Sequence, residues 1–176
     1  ARYNTATQFL ALVYDKHNYG KADKFSEWAK GQMDYLLGDN PNDKCYVVGL
    51  EDYSVKYPHH RASSGLSKCE DTSEQKHVLY GALVGGPGAN DEHIDTTADY
   101  IYNEVTIDYN AAFVGASAGL YALFGDSSML PDKDFPPAEQ TSDDENGGKY
   151  WVEAFSVDIV QDAPKVNEIT FYVMSD

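Results

Sequence analysis

Residues 106–124 form the segment that most constrains the fold of this 176-residue chain. The segment is rich in alanine and glycine, and such small side chains suit close approach to neighbouring helices. Apolar residues at helical spacing also predict helices over residues 3–16 and 23–37. Gly38 and Gly125 stand where helix C-terminal stops are expected. The sequence therefore predicts a mainly α fold.

The two earlier helices each carry an apolar stripe. Residues three or four positions apart lie on one face of a helix, and such a stripe usually marks the face that packs against the core. The stripes consist of Ala6, Phe9, Leu10 and Val13 in the first helix and Phe25, Trp28, Ala29, Gln32 and Leu36 in the second.

Long loops at residues 39–75 and 84–99 separate the helices, and loops of this length are usually functional. The second loop leads into an acidic, tyrosine-rich motif over residues 93–111. Its rings can stack on sugar faces, and apolar surroundings raise the pKa of a carboxyl, as a sugar-cleaving site requires. The alternative is a solvated helix start. The carboxyl and tyrosine side chains of the motif are Asp95, Asp99, Glu104, Asp108, Tyr100, Tyr102 and Tyr109.

The first loop holds a second motif, CYVVGLEDYSVKYPHHR over residues 45–61. Pro58 fixes its own φ and favours an extended residue before it, so His59, His60 and Arg61 are presented from a stiffened loop. Arginine offers a planar fork of donors, and histidine donates to a sugar hydroxyl or a carboxyl. The alternative is a surface loop with ordinary histidines.

The two motifs together resemble the two signature regions of glycoside hydrolase family 9, the inverting cellulases. The first signature ends in Pro-His-x-Arg, and the second pairs an Asp with a Glu nine residues later, followed by Asp-Tyr-Asn-Ala. Flanking segments at 34–41 and 81–87 match as well, and the resemblance covers residues 1 to about 130. This chain departs from the family pattern at Cys45, Glu51, Tyr53 and His93, which stand for Ser, Gly, Asn and an aromatic residue.

The resemblance implies a role for each site residue. Glu104 matches the general acid that protonates the leaving glycosidic oxygen, and Asp95 matches the second acidic position, which orients site groups rather than attacking. His59 and Arg61 would hydrogen-bond the glucan near the cleavage point, with His60 beside them, and Tyr109 would offer its ring or hydroxyl. The alternatives are a helix cap for Asp95 and core packing for Tyr109.

The resemblance also implies a fold. Family 9 catalytic modules are (α/α)6 barrels, so we expect the C-terminal portion of such a barrel with long active-site loops. The family's catalytic base belongs to an Asp-Ala-Gly-Asp motif that this chain lacks. We therefore expect an N-terminal remainder of the module to supply the base, and the fragment alone to be inactive.

The composition changes after the last predicted helix. Residues 1–130 are expected to form the partial catalytic module, and residues 131–149, with prolines, acidic residues and glycines, to form a linker. Residues 150–176 alternate like β-strands and resemble the opening of a family 3 carbohydrate-binding module. A short β segment is therefore expected to follow the helices.

The net charge of −16 and the pI near 4.4 argue against nucleic acid or an anionic membrane as a partner. They fit an uncharged polysaccharide such as cellulose or a soluble β-glucan, and a secreted protein. In that compartment Cys45 and Cys69, which flank the His-His-Arg loop, are candidates for a disulfide; the alternative is two buried thiols. No cofactor and no metal ligand is assigned, although family members often carry structural calcium through segments outside this stretch.

The motifs and the family resemblance together predict an endo-β-1,4-glucanase that inverts the configuration at the anomeric carbon, with Glu104 as proton donor. The alternatives are a glucan-binding fragment without catalysis and a scaffold fragment.

Overall fold

The computed structural model describes residues 1–65 and 75–126. These residues form a mainly α structure, as predicted. The described residues belong to the first of two units, Ala1–Asp132. The second unit, Lys133–Asp176, lies outside the described residues. The linker predicted over residues 131–149 and the strands predicted over residues 150–176 also lie outside them. The helices are α1 (Arg2–Tyr19), α2 (Lys24–Leu37), α3 (Arg61–Ser64), α4 (Tyr100–Asn103) and α5 (Ile107–Phe124).

The first two helices are joined by a buried hydrogen-bond cluster. Asp15 of α1 is fully buried, and its Oδ2 accepts from the backbone N–H and the hydroxyl of Ser26 at 2.7 and 2.8 Å. Burial opposes the charged carboxylate, but these hydrogen bonds hold the pKa of Asp15 below its ordinary value. Asp15 thereby satisfies a backbone donor in the first turn of α2, which such a turn leaves without a helical partner.

Helix α5 packs against α1 through its small residues, as the sequence predicted. A Cβ added to Gly115 would lie 3.0 Å from Phe9, and one added to Gly119 would lie 3.1 Å from Leu12. Ala116 is fully buried between these glycines. Larger side chains at these positions would therefore force α1 and α5 apart.

The helix predicted over residues 3–16 is confirmed as α1, but its apolar stripe is mostly exposed among the described residues. Leu10 is 66% exposed and Val13 48% exposed. The sequence pattern missed the buried face because three of its four members are polar residues whose side chains make hydrogen bonds within the structure. Those members are Thr5, Gln8, Leu12 and Asp15.

The stripe of α2 is confirmed in part. Ala29 and Leu36 are buried, whereas Phe25 and Trp28 are 40% and 42% exposed. Ala29 joins Leu12, Met33 and Ala116 in the core between the long helices. The apolar side chains left at the surface of α1 and α2 form a groove considered below.

Loops rather than strands carry the rest of the described chain. They are held by isolated β-bridges, which connect Cys45 with Ser54, Val47 with Leu83, His59 with Glu104 and Val84 with Val105. Beneath them lies a buried cluster in which Tyr109 of α5 contacts the loop residues Cys45, Val47 and Leu83. The loops are therefore fixed to the helical core. None of the described helices has the length and apolarity of a membrane span.

Candidate active site

The loop that presents the histidines lies directly beside the acidic motif. The backbone N–H of His59 donates to the carbonyl of Asn103 at 2.7 Å, and His59 forms a parallel bridge with Glu104. On the other side, the N–H of Gly85 donates to the carbonyl of Glu104 at 2.9 Å. The Glu104 backbone is therefore held between the two long loops.

The Glu104 side chain is half-buried and meets Tyr109 of α5. The Tyr109 hydroxyl donates to Oε2 of Glu104 at 3.0 Å and accepts from Nη1 of Arg2 at 3.0 Å. The Arg2 guanidinium also lies 5.2 Å from the centre of the Tyr109 ring. Burial, followed by the hydrogen bond to Glu104, raises the pKa of Tyr109. The hydroxyl therefore stays protonated and remains a donor at neutral pH.

Tyr109 combines this contact with core packing, the alternative considered for it. It is 4% exposed, and its hydroxyl still reaches the acid. The next residue, Asn110, holds the loop that contains Gly81 and Leu83. Its Oδ1 accepts from the N–H of Leu83 at 3.1 Å, and its Nδ2 donates to the carbonyl of Gly81 at 2.8 Å. One turn of α5 thus contacts both the acid and the loop.

Asp95 organises the histidine loop through the backbone. Its Oδ1 accepts from the N–H of Tyr57 at 3.0 Å, and its Oδ2 accepts from the N–H of Lys56 at 2.9 Å. The ammonium of Lys44 lies 3.8 Å from Oδ2. The helix cap nearby is Asp99, whose Oδ1 accepts from the N–H of Ile101 at 2.8 Å at the start of α4. The contacts of Asp95 are those of a residue that orients the segment before His59.

The ring of His59 is oriented by a backbone carbonyl. Its Nδ1 lies 2.6 Å from the carbonyl oxygen of Thr97. A carbonyl only accepts, so Nδ1 carries the proton in this contact and Nε2 is the acceptor of the neutral ring. His59 also makes an edge contact with Tyr100, with ring centres 6.1 Å apart. A neutral His59 therefore offers Nε2 as an acceptor for a hydroxyl.

His60 and Arg61 lie at the start of α3. His60 is the N-cap residue, and its Nδ1 accepts from the N–H of Ser63 at 3.2 Å. Arg61 is exposed, so its guanidinium is accessible to a ligand. The cap fixes the orientation of the His60 ring, and substrate binding by both residues stays a prediction.

The cysteine prediction also stays open. Cys45 is fully buried, and its Sγ lies 3.7 Å from the carbonyl oxygen of Val47. Burial raises the pKa of this thiol. Cys45 has no disulfide partner among the described residues, and Cys69 lies outside them.

His93, where the family pattern has an aromatic residue, lies in a cluster of tyrosines. Its ring centre is 5.1 Å from that of Tyr46 and 5.9 Å from that of Tyr102. Burial lowers the pKa of His93, although the negative charge of Asp95 opposes the shift. The ring is therefore held in its neutral form and packs as an aromatic residue would.

Sequence reasoning missed three residues of this site: Arg2, Thr97 and Asn103. Arg2 lies 107 residues from Tyr109 in the chain, so no local spacing indicated the contact. Thr97 acts through its backbone carbonyl, which any residue type supplies. Within residues 1–65 and 75–126, no group of three His, Cys, Asp or Glu side chains is arranged to hold a metal ion.

Comparisons with known proteins identify the family to which this chain belongs. The family model described as Glycosyl hydrolase family 9 matches residues 1–117. This chain belongs to that family. Endoglucanase A of Bacillus pumilus is 44% identical over an alignment of 158 residues, and the alignment covers 87% of this chain and 23% of that protein.

Solved structures agree with this assignment to family 9. The catalytic domain of CelT from Clostridium thermocellum is 65% identical, with a TM-score of 0.75, over 78% of this chain and 28% of that one. Endoglucanase CelQ from the same organism, complexed with cellobiose and cellotriose, is 43% identical, with a TM-score of 0.70, over 86% of this chain and 24% of CelQ. The chain thus spans about a quarter of the length of these relatives, and its helices correspond to part of a family 9 fold.

Proposed function

We propose that the full-length protein hydrolyses internal β-1,4-glucosidic bonds in cellulose and related β-glucans with inversion of configuration. The observation that carries this proposal is the placement of Glu104, half-buried beside His59 and hydrogen-bonded to Tyr109. Family membership supports it, as do relatives named as endoglucanases and a relative complexed with cellobiose and cellotriose.

In the proposed reaction Glu104 gives its proton to the glycosidic oxygen as the bond between that oxygen and C1 breaks. A water molecule attacks C1 from the opposite face and loses a proton to a carboxylate base. An inverting site separates the two carboxyls by about 6.5–9.5 Å, which leaves room for that water. We propose that the base lies in a part of the catalytic module outside this chain. His59 and Arg61 would bind sugar hydroxyls beside the cleavage point.

The role of Glu104 is tested with Glu104→Gln in the full-length protein. General acid catalysis typically contributes about 10²–10⁴-fold, so kcat on cellulose should fall by that factor while binding survives. An aryl cellobioside with an acidic leaving group needs little protonation, so its hydrolysis should fall far less. Glu92→Gln, at an exposed position, is the matched control. Near-normal hydrolysis of cellulose by Glu104→Gln would overturn the assignment.

Inversion of configuration is tested by identifying the anomer that is released first. Inversion of a β-linked glucan releases the α-anomer first, which proton NMR resolves before mutarotation. Initial release of the β-anomer would contradict the inverting mechanism and indicate a covalent intermediate.

We also propose that an N-terminal remainder of the catalytic module covers an apolar groove on α1 and α2. The groove has a volume of about 800 Å³, and its lining includes Leu10, Tyr14, Phe25 and Trp28. Contiguous exposed apolar surface of this kind usually marks a packing or interaction site. This chain spans 23% of Endoglucanase A of Bacillus pumilus, so a protein of that length has further chain with which to cover such a groove.

This partner is tested by mixing the present chain with the remainder of the module as a separate polypeptide. Co-elution and recovery of glucanase activity are expected, and Trp28→Glu should prevent both. Lys21→Glu, at an exposed position outside the groove lining, should leave both unchanged. Hydrolysis of carboxymethylcellulose by this chain alone would contradict the proposal that the base lies elsewhere. Binding of glucan without hydrolysis by the complete module would favour the non-catalytic alternative.

We further propose that the protein is secreted. The net charge of −16 suits a soluble protein that acts on an uncharged polymer too large to enter a cell. Neither nucleic acid nor an anionic membrane is proposed as a partner. The proposed reaction uses two carboxyl groups and a water molecule and requires no organic cofactor.

A further inference from the structure

Asn103, the residue before Glu104, is fully buried. Its Nδ2 donates to the carbonyl oxygens of Ile94 at 2.6 Å and Thr96 at 3.1 Å. Because both partners only accept, the amide nitrogen is the group that fits this position. These carbonyls belong to the residues on either side of Asp95, so the Asn103 side chain clamps the Asp95 segment.

The Asn103 backbone extends this clamp to the histidine loop. Its carbonyl accepts from the N–H of His59 at 2.7 Å. The loop is held from the other side as well, because the Asp95 carboxylate accepts from the N–H of Tyr57 at 3.0 Å. The His59 ring, finally, is fixed to the carbonyl of Thr97. A closed set of hydrogen bonds therefore connects the residue before Glu104, the Asp95 segment and the His59 loop.

We propose that Asn103 is a positioning residue that sets the placement of His59 and Asp95 relative to Glu104. It acts through the carbonyls of Ile94 and Thr96 and through the His59 backbone. The inference rests on the proposed function, since the quantity it controls is the alignment of the acid and the sugar-binding ring. Misplacement of a catalytic group by about 1 Å can cost about a hundredfold in rate.

The chemistry of the clamp suggests two substitutions with different pH behaviour. Asn103→Leu has a similar shape but no donor, so it loses both hydrogen bonds at every pH. Asn103→Asp presents a carboxylate to the two carbonyls at neutral pH, which is repulsive. Once protonated, the same aspartic acid has an O–H that donates to one carbonyl. His93 is the titratable side chain in hydrogen-bond contact with that of Asn103, and its protonation would attract the aspartate as well. Only Asn103→Asp is therefore expected to recover as the pH falls.

The test measures kcat and KM of both variants on a soluble β-glucan, from about pH 3 to about pH 8, a range that brackets the ordinary aspartic acid pKa of about 3.9. At neutral pH we expect kcat of each variant to fall by about ten- to a hundredfold. The ratio of kcat for Asn103→Asp to kcat for Asn103→Leu should rise as the pH is lowered. A loss of stability alone would not produce this pH-dependent ratio at temperatures where both variants are folded.

Asn40 supplies a matched control. It is 9% exposed, and its Nδ2 donates to the carbonyls of Tyr35 at 2.6 Å and Lys44 at 2.8 Å. Asn40→Leu thus removes two donations of the same kind as Asn103→Leu, in a turn after α2, and also the hydrogen bonds that Oδ1 accepts from the N–H groups of Asn42 at 3.1 Å and Lys44 at 3.3 Å. Asn40→Leu should therefore lose at least as much thermal stability as Asn103→Leu, while it keeps kcat within about twofold of the parent.

Equal losses of kcat in Asn103→Leu and Asn40→Leu, or a pH-independent ratio, would overturn the positioning role alone. An inactive parent protein would overturn the proposed function. The positioning of His59 then remains measurable by NMR, as the shift of its hydrogen-bonded Nδ1–H proton. That resonance should move in Asn103→Leu and stay in Asn40→Leu; an unchanged resonance in both would contradict the clamp.

Discussion

Tyr109 donates a hydrogen bond to Oε2 of Glu104 at 3.0 Å, across the boundary between helix α5 and the active-site loops. A phenolic hydroxyl can accept and donate at once, and here it also accepts from Arg2. The donor to Glu104 is therefore fixed by a residue at the start of α1. The orientation of the proposed acid thus depends on two helices that flank it.

Removing this hydroxyl should impair the chemical step. We expect Tyr109→Phe to lower kcat by about tenfold, equivalent to about 1.4 kcal/mol, with a smaller change in KM. The ring remains to pack in the core, so thermal stability should change little. Tyr121→Phe, a half-exposed position on the same helix, is the matched control. An unchanged kcat in Tyr109→Phe would show that the hydroxyl does not orient the acid.

Two neighbouring aspartates should respond differently to the same change. Asp95→Asn loses the charge that accepts from the N–H groups of Lys56 and Tyr57, which we expect to cost about 1–3 kcal/mol and to raise KM. Asp99→Asn should be nearly neutral, because Asn caps a helix about as well as Asp. Thermal unfolding and Michaelis kinetics measure both. Equal effects at the two positions would contradict a special role for Asp95.

His93 should make stability depend on acid pH. Burial lowers its native pKa, so the unfolded state binds the proton more readily, and stability falls as the pH drops below the ordinary value of 6.5. The carboxylates of Asp95 and Asp99 oppose this effect, and Lys44 supports it. His93→Phe should reduce the difference between urea midpoints at about pH 7 and pH 5, which lie on either side of the unperturbed pKa. A larger difference in this variant would contradict a buried neutral ring.

Replacing a glycine by alanine should have opposite effects on stability at two positions, Gly119 of α5 and Gly31 of α2. A Cβ at Gly119 meets the buried Leu12 at 3.1 Å, so Gly119→Ala should destabilise by about 1–3 kcal/mol through overpacking. A Cβ at Gly31 of α2 has nothing within 4 Å among the described residues, so Gly31→Ala should stabilise by about 0.5–1 kcal/mol. Thermal unfolding midpoints decide between these signs. Stabilisation by Gly119→Ala would show that α1 moves readily away from α5.

The sequence predicted the long helices and the two motif segments because each leaves a local signature. The three helices appear within a few residues of the predicted 3–16, 23–37 and 106–124, since glycines and small residues mark their ends and contacts. The proximity of His59 to Glu104 was expected only through the family resemblance. No spacing rule connects residues 45 positions apart.

The sequence did not reveal the buried face of α1 or the contacts of Asn103, because these depend on buried polar side chains and on backbone carbonyls that accept hydrogen bonds. The buried face of α1 includes Gln8 and Asp15, and hydropathy assigns such residues to the surface. Asp15 can be buried because Ser26 of another helix supplies two donors, which the pattern within α1 does not reveal. The clamp made by Asn103 similarly uses carbonyls, which carry no sequence signal.

One turn of α5 holds Tyr109 against the acid and Asn110 against the carbonyl of Gly81. A small roll of this helix about its axis would disturb both contacts together. Directed evolution for heat resistance should therefore gain more from changes on α2 than from repacking α5. Substitutions that rotate α5 would lower kcat even where they raise thermal stability, and even when they lie several helical turns away from the bound polymer.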